Sequence, residues 1–540
     1  MILMTHSNAI IEERTDAVMK KRLMLALAMC LLAGTACAAQ ADTLIVLDQN
    51  GITINGEIIS EDAASSVYLT RETQTHEGVP DELRDVVNQV INITDAGVYR
   101  ISGEAQDMQI AVRAGKDDQV RLILDNAAIS CRTAPAIIGE SAYDPRTPGE
   151  YGLTIELAAG SENSVTGSHT VGVTDDDVEY DGAIGSQVSL GFEGTGSLIV
   201  DADNEGIEVS CGHMTINGGV FSISACDDPL NVSEDGVGTL TINDGYVYSA
   251  VKPIEGGEGD GIDSNGYIVF NGGTVINLAH PGSMDGGIDS DMGSSINGGV
   301  IVGAGNMYDP IDASSSQLFM MLEFGQETDS LVVVTDENDH PVFAYDFPHD
   351  YMYVAFSTPE LKEGVYHVYL GGEIEGEQTN GLYTSITAYT PGERMQHGAG
   401  NARQRMSMRP MGGMPPEGNG MPGSMNGMME NVMAYEQALS AIDLNVLLKD
   451  ADLNVLLDGV DLNKLLDGLS IKDLLTQEQI ETYFSGVDIE TAEEMSAFGR
   501  RFGGGMGGGP RGMRSSAEVA TADFLLTREN TGFTNVTKAP

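Results

Sequence analysis

Four ten-residue segments that share one pattern decide the fold of this chain. They are TINGGVFSIS (215–224), TINDGYVYSA (241–250), VFNGGTVINL (269–278) and SINGGVIVGA (295–304). Their asparagines, Asn217, Asn243, Asn271 and Asn297, are 26, 28 and 26 residues apart. On both sides of each asparagine, hydrophobic and polar residues alternate, which is typical of half-buried β-strands. The pattern therefore predicts a strand, a tight turn and a second strand in every repeat.

A second, acidic turn precedes each of these asparagines. Its copies are Glu205-Gly206-Ile207-Glu208, Asp228-Pro229-Leu230-Asn231, Asp260-Gly261-Ile262-Asp263 and Gly286-Gly287-Ile288-Asp289. Asn-Gly between two strands is also a strong hairpin signal, so a series of hairpins is the alternative. A series of hairpins does not require an acidic turn at a fixed place before each asparagine. In a solenoid, by contrast, every coil repeats the same features in the same order. We therefore predict a parallel β-helix.

The remaining segments divide the chain around this solenoid. The β-helix is expected over residues 121–315, after an N-terminal β segment or cap at 42–120. Short runs rich in Val, Tyr and Phe predict a small C-terminal β module at 316–390, completed by residues 518–540. Residues 391–517 read as low-complexity linkers around short helical turns, begun by Asp443, Asp452 and Asp461 at a period of nine. The predicted fold class is all-β with this insertion.

The balance of acidic and basic residues limits the classes of partner that this protein can bind. The 540-residue chain carries 81 acidic and 27 basic side chains, a formal net charge of −54, and 41% of its residues are hydrophobic. Nucleic acid requires a basic surface and anionic membranes attract basic segments, so the charge excludes the first partner and disfavours the second. Between Thr147 and Leu361 the one basic residue is Lys252. Salt bridges within the chain therefore cannot neutralise the carboxylates of this stretch.

We interpret the acidic turns as calcium ligands. Carboxylates that recur at one position of successive coils stack in register, and they raise each other's pKa unless a cation lies between them. Calcium binds oxygen ligands, about six to eight of them, in flexible loops. The candidate ligands are Asp201, Asp203, Glu205, Asp227, Asp228, Asp260, Asp263, Asp285, Asp289 and Asp291. The alternative is a solvated acidic surface, which is the usual meaning of a charge run.

The N-terminal region resembles a secretory leader. Residues 19–22 are basic, residues 23–33 are apolar, and Ala39-Gln40-Ala41 is a small-residue cleavage site, so residues 19–41 are expected to be a signal peptide. Residues 1–18 are interpreted as an upstream start-site artefact. Cys37 leaves a lipid anchor as an alternative. No other segment is long and apolar enough to span a bilayer, so the expected location is secreted or at the cell surface.

Several short motifs resemble those of a known family. They are Leu122–Ile129, Ala134–Ile137, Leu157–Asn163 and the Phe356–Gly364 segment, together with the two turn markers. In this order they are similar to secreted acidic bacterial proteins with a carbohydrate-binding domain, over residues 90–390. The resemblance implies a pectate-lyase-like, right-handed parallel β-helix with bound calcium. It also implies binding of plant-type polysaccharides, acidic ones included, without established catalysis. Asp228-Pro229-Leu230 stands where the family pattern has Gly-Ile.

Three functions are compatible with such a scaffold. We expect a non-catalytic polysaccharide binder and assign no catalytic residue. A calcium-dependent polysaccharide lyase is one alternative, but its base would have to be Lys252 or one of the early Arg121, Arg132 and Arg146. A structural or adhesive protein of the cell surface is the other alternative.

Aromatic residues supply the candidate sugar contacts. The chain contains no Trp, which disfavours a flat platform for crystalline cellulose. Single tyrosines can stack on sugar rings, although a tyrosine in a strand more often packs against its neighbours. The candidate carbohydrate-binding residues are Tyr246, Tyr248, Tyr267 and Tyr308.

Overall fold

The fold is built almost wholly from β-strands, as the sequence predicts. The structure, a computed structural model, describes residues 42–48, 51–73, 81–167, 181–312, 315–324, 331–397, 524–527 and 533–538. Within these ranges the one helical element is a 3-10 turn at Asp81–Leu83, and every other regular element is a strand. None of the described residues forms a helix long and apolar enough to cross a membrane.

Parallel pairing between successive repeats produces three ladders of strands. The first ladder consists of Thr43–Leu47, Gly97–Gln106, Val120–Ser130, Leu153–Leu157, Leu190–Gly194, His213–Ile216, Thr239–Ile242, Tyr267–Phe270 and Gly293–Ile296. Two short strands, Thr53–Ile54 and Glu57–Ile58, pair antiparallel at its beginning. The last four strands of the first ladder, from His213–Ile216 onward, each end where the asparagine turn of their repeat begins.

The second ladder collects the strands that follow the asparagine turns. It begins with the second half of Val120–Ser130 and continues through Glu162–Gly167, Ser197–Ala202, Val220–Ala225, Tyr246–Val251, Thr274–Leu278 and Val300–Gly305. All these pairings are parallel and without a register shift.

The third ladder collects the strands that carry or follow the acidic turns. It contains Val87–Ile93, Met108–Arg113, Ile137–Ser141, Gly182–Ser186, Glu205–Val209, Leu230–Val232 and Asp263–Ser264. Val67–Thr73 pairs antiparallel with its first strand. The chain therefore visits the third, first and second ladders in turn in every repeat.

This pairing is inconsistent with the hairpin alternative. The two strands that flank an asparagine turn, such as His213–Ile216 and Val220–Ala225, each pair in parallel with the equivalent strand of the next repeat. The glycine two residues after each asparagine makes the sharp change of direction: Gly219 has a φ of 101° and Gly245 a φ of 105°. Glycine adopts this left-handed region without the steric cost that a Cβ atom brings. A Cβ at Gly245 would also lie 2.8 Å from the carbonyl oxygen of Gly219.

Stacked apolar side chains form the core between the ladders. In the first ladder one position is occupied in successive strands by Ile155, Phe192, Ile216, Ile242, Phe270 and Ile296, all 0% exposed. Burying each such side chain contributes about 1.5–3 kcal/mol relative to leaving it in water. Phe192 also meets Phe221 of the second ladder edge to face, with ring centroids 5.4 Å apart. The alternation in the sequence thus becomes one continuous core.

An antiparallel module follows the ladders. Its strands are Phe319–Phe324, Leu331–Asp336, Pro341–Asp346, Tyr353–Ser357, Gly364–Thr379, Leu382–His397, Phe524–Leu526 and Phe533–Lys538. Tyr353–Ser357 pairs with Val300–Gly305 and so continues the second ladder. Phe524–Leu526 pairs with Gly364–Tyr366, so a segment distant in sequence returns to the same sheet.

The predicted linker region begins later than the sequence suggested. Residues 391–397 continue the strand Leu382–His397, since Glu393 and Arg394 pair with the preceding strand of the hairpin and residues 395–397 pair with Phe533–Lys538. The rest of the predicted linkers and helical repeats, the signal segment at 19–41, residues 1–18 and Cys37 lie outside the described residues.

Candidate functional site

The acidic turns occupy equivalent positions at one end of the third ladder. Glu208, Asn231 and Asp263 are direct partners in register. Asp289 continues the row, because its N–H donates to the carbonyl of Ile262 at 3.0 Å and its own carbonyl accepts from the N–H of Ser264 at 3.2 Å. Four successive coils therefore place one polar side chain each at the same level.

The first acidic cluster consists of Asp181, Glu205 and Glu208. One carboxylate oxygen from each residue lies within 4.8 Å of the others. Glu205 is only 7% exposed and Glu208 only 3%. Glu208 accepts hydrogen bonds from the Ser210 hydroxyl and, at 3.4 Å, from the backbone N–H of Asp181. Three carboxylates are thus held together, two of them almost without access to water and the third, Asp181, half-buried.

Two buried oxygens of this cluster lack a hydrogen-bond donor. Glu205 Oε1 accepts from Asn231 Nδ2 at 2.6 Å, but Glu205 Oε2 and Asn231 Oδ1 are both buried without a partner. A buried acceptor without a partner normally costs about 1–3 kcal/mol, and more for a charged group. Both atoms are oxygens, which are the ligands that hard cations prefer.

The second acidic cluster consists of Asp260, Asp263 and Asp289, whose ligand atoms also lie within 4.8 Å of one another. Asp260 accepts from the backbone N–H of Gly286, while its own N–H donates to Asp228 Oδ1 at 2.6 Å. These side chains are half-buried. The backbone contacts hold Asp228 and Asp260 on adjacent coils.

Burial and mutual repulsion raise the pKa of these carboxyl groups. Burial is the largest cause throughout, and neighbouring carboxylates are the next in most cases. It raises the pKa of Asp227 to about 6, of Asp263 to about 7, of Glu208 and Asp289 to about 8, and of Asp260 to about 10. The pKa values of Glu205 and Asp228 are also well above the usual range. At neutral pH these clusters therefore hold protons unless a cation replaces them.

The structure brings together only part of the ligand set predicted from the sequence. Glu205, Asp260, Asp263 and Asp289 lie in the clusters, and Asp228 adjoins the second. Asp201 instead forms an ion pair with Lys252 at 2.6 Å, and Asp203 is exposed. Asp285 accepts from the N–H of Gly259 at 2.8 Å and from the Ser283 hydroxyl, and thereby joins two loops.

The two other predicted ligands lie beside the clusters. Asp227 is half-buried next to Asp228, and Asp291 is exposed. The pKa of Asp291 is nevertheless raised by burial and by the nearby charge of Asp309. Both side chains therefore contribute to the negative potential at this end of the third ladder.

Sequence reasoning did not include Asp181, Glu208 and Asn231 among the candidate ligands. A signal for Glu208 and Asn231 exists: both occupy the last position of the acidic turn, the position of Asp263. Asp181 begins the weaker early copy of the same turn, Asp181-Gly182-Ala183-Ile184. Alignment of the turns by register would have found Glu208 and Asn231 but not Asp181, because Gly182 pairs with Glu205 and Asp181 therefore lies one position before the turn.

The four candidate tyrosines lie in separate places. Tyr246 and Tyr248 are half-buried on the second ladder and pack against the core of the C-terminal module. Tyr267 is 41% exposed on the first ladder. The ring of Tyr308 packs against that of Tyr353 in a tilted arrangement, with ring centroids 5.0 Å apart. The four side chains therefore do not form one aromatic platform.

The basic residues that a lyase would need are all bonded to carboxylates. Lys252 pairs with Asp201, Arg121 bridges Glu156 and Glu193 at 2.6 and 2.7 Å, and Arg132 pairs with Asp107 at 2.7 Å. Arg146 is paired as well, with Glu234 and Asp144. Each of these side chains is placed to hold the scaffold together.

Comparison with known families finds a match to part of this chain. Residues 87–317 match a family described as "Carbohydrate-binding domain-containing protein". This range begins at the strand Val87–Ile93 and includes the asparagine turns and both acidic clusters. The match agrees with the resemblance found in the sequence motifs.

Particular relatives cover parts of the chain. A "Carbohydrate-binding domain-containing protein" of Acetivibrio thermocellus is 31% identical over 142 residues, which are 26% of this chain and 46% of the relative. The match thus spans less than half of that relative's length. A solved structure, of the polysaccharide lyase-like protein from C. thermocellum as a gadolinium derivative, is 23% identical with a TM-score of 0.33. That comparison covers 48% of this chain and 90% of the other.

Proposed function

We propose that this protein binds polysaccharide, without cleaving it, on a right-handed parallel β-helix stabilised by calcium. The observation that carries the proposal is the match of residues 87–317 to a carbohydrate-binding family. The same residues form the three in-register parallel ladders, which is the pairing expected of stacked coils.

The acidic clusters support calcium as the bound ion. Asp181, Glu205 and Glu208 offer carboxylate oxygens, and Asn231 Oδ1 adds a neutral one beside them. This all-oxygen set suits calcium better than zinc, which favours nitrogen and sulfur. Asp260, Asp263 and Asp289 offer a second set. A bound cation supplies the positive charge that offsets the burial of several carboxylates.

The placement of the basic residues supports binding without cleavage. β-Elimination requires a base that removes a proton from the sugar. Lys252 and the three early arginines are engaged with carboxylates. The leader at residues 19–41, with Cys37 as an alternative lipid site, supports action outside the cell or at its surface, where calcium is abundant.

Glycan binding by the purified protein tests this proposal. We expect retention on an array of neutral and acidic plant polysaccharides in millimolar calcium, and weaker retention with chelator. Loss of binding with every glycan would contradict the proposal. Incubation with polygalacturonate should produce no unsaturated, ultraviolet-absorbing products, and their appearance would favour the lyase alternative instead.

A further inference from the structure

The outward-facing residues of the second ladder change from exposed to buried along its length. One outward position is occupied by Ile199, Ser222, Tyr248, Ile276 and Val302 in successive strands. Ile199 is 56% exposed and Ser222 is exposed, Tyr248 is half-buried, and Ile276 and Val302 are 0% exposed. The last two pack in the core of the C-terminal module. The module therefore covers one end of this face and leaves the other end open.

A cleft of about 200 Å³ lies where the cover ends. Its floor includes Ser222, Ser224, Tyr248 and Lys252 from the second ladder. Its wall includes His349 and Tyr351 from the module. Tyr351 is 2% exposed and donates a hydrogen bond to the carbonyl of Ala279 at 3.2 Å, which fixes the wall to the ladder. The cleft is therefore part of the folded structure and opens onto the exposed part of the face.

We propose that this cleft binds one hexose unit of a neutral polysaccharide, whose chain continues across the exposed face of the second ladder. Ser222, Ser224 and His349 offer the hydrogen-bonding groups that sugar hydroxyls require. Tyr248 and Pro348 offer apolar surface for the C–H face of the ring. The volume corresponds to about seven waters at roughly 30 Å³ each, which is close to one sugar ring.

The charges favour a neutral sugar over a uronic acid. Lys252 is the one basic residue of the cleft lining, and Asp201 neutralises it at 2.6 Å. The chain as a whole carries −54, so an anionic sugar gains no attraction here. The open face beyond the cleft presents Ile199 and Val220, 56% and 47% exposed, beside serine side chains. Such a mixed apolar and hydroxyl surface complements a glycan without charge.

This inference rests on the proposed polysaccharide binding. Two variants distinguish a failure of this inference from a failure of the proposed function. His349→Ala removes a polar group from the wall, and Ser222→Trp fills the cleft from an exposed position. His340→Ala is the matched control, because its side chain is 77% exposed and bonded to Asp336 elsewhere on the module. Titration calorimetry would use cellohexaose, xylohexaose, mannohexaose and hexagalacturonate, and thermal melting would verify that each variant is folded.

We expect the wild type to bind at least one neutral hexaose. His349→Ala should weaken that binding about tenfold, as for the loss of one buried hydrogen bond. Ser222→Trp should abolish it, and His340→Ala should leave it unchanged. If the folded variants bind as the wild type does, or if only hexagalacturonate binds, the cleft is not the site although the proposed function stands. If the wild type binds no glycan of a wide array, the proposed function fails, and this inference with it.

Discussion

The asparagine turns and the acidic turns recur with the same period, yet their stacked side chains are stabilised in different ways. Asn243 Nδ2 donates to Asn217 Oδ1 at 2.7 Å, Asn271 to Asn243 at 2.8 Å, and Asn297 to Asn271 at 3.0 Å. Each amide carries a donor and an acceptor, so the asparagine ladder satisfies itself. The row ends on Tyr151, whose hydroxyl accepts from Asn217 and donates to Glu193 at 2.8 Å.

The acidic turns have no such solution among the residues that the structure describes. An ionised carboxylate offers only acceptors, so stacked copies repel each other and raise each other's pKa. Glu205 Oε2 and Asn231 Oδ1 remain buried without a donor. The neutral asparagine ladder is therefore stabilised by hydrogen bonds between its own side chains, whereas the acidic clusters need protons or a cation from solution.

The largest expected effect comes from neutralising one carboxylate of the first cluster. Glu205→Gln keeps the shape of the side chain and the contact with Asn231 but removes one buried negative charge. We expect calcium to bind about tenfold more weakly, a loss of roughly 1.4 kcal/mol. In chelator the same variant should be more stable than the wild type, because the Glu205 carboxyl must take up a proton to be buried at neutral pH, whereas the amide need not.

Urea unfolding in calcium and in chelator measures both expected effects, the weaker stabilisation by calcium and the greater stability in chelator. Glu255→Gln is the matched control, since Glu255 is exposed in a loop of the same region. Equal stability of Glu205→Gln and the wild type under both conditions would contradict the claim that the acidic turns, unlike the asparagine turns, need protons or a cation.

The pH dependence of stability should also differ with and without calcium. Asp227, Asp263, Glu208 and Asp289 have pKa values of about 6, 7, 8 and 8 in the folded chain, above about 4 for unfolded carboxyls. The folded state then binds more protons, so without a cation stability is greatest at acidic pH and falls as pH rises through 6 to 8.

Calcium binds the ionised carboxylates, so its stabilising effect should grow over the same range. Melting curves between about pH 5 and pH 8, with calcium and with chelator, test this. A calcium effect that is constant with pH would show that these carboxylates are not the ligands.

The smallest effect is expected in the asparagine ladder. Asn243→Ala removes two side-chain hydrogen bonds at an exposed site, and should cost about 1 kcal/mol of unfolding free energy. This cost should be the same with calcium and with chelator. Asn338→Ala, on an exposed turn of the module, is the control. A calcium-dependent cost for Asn243→Ala would mean that the two rows are coupled.

The sequence predicted most of the scaffold because the core and the turns repeat. The positions of Asn217, Asn243, Asn271 and Asn297 follow from spacing alone, and so do the parallel strands beside them. The candidate site was predicted only in part, because acidic character does not distinguish a cluster member such as Glu205 from Asp201, which pairs with Lys252. The cleft near Tyr248 depends on where the C-terminal module packs, which no repeat encodes.

Thermal melting of the full chain near pH 8, in millimolar calcium and in chelator with magnesium as the control ion, tests the central claim most directly. At a calcium concentration about 100 times the dissociation constant, each site adds about 2.7 kcal/mol. For a folded unit of several hundred residues, this corresponds to a rise in Tm of about 3–4 °C for each occupied site. We predict this rise with calcium and a much smaller one with magnesium. An identical Tm in calcium and in chelator would contradict the account.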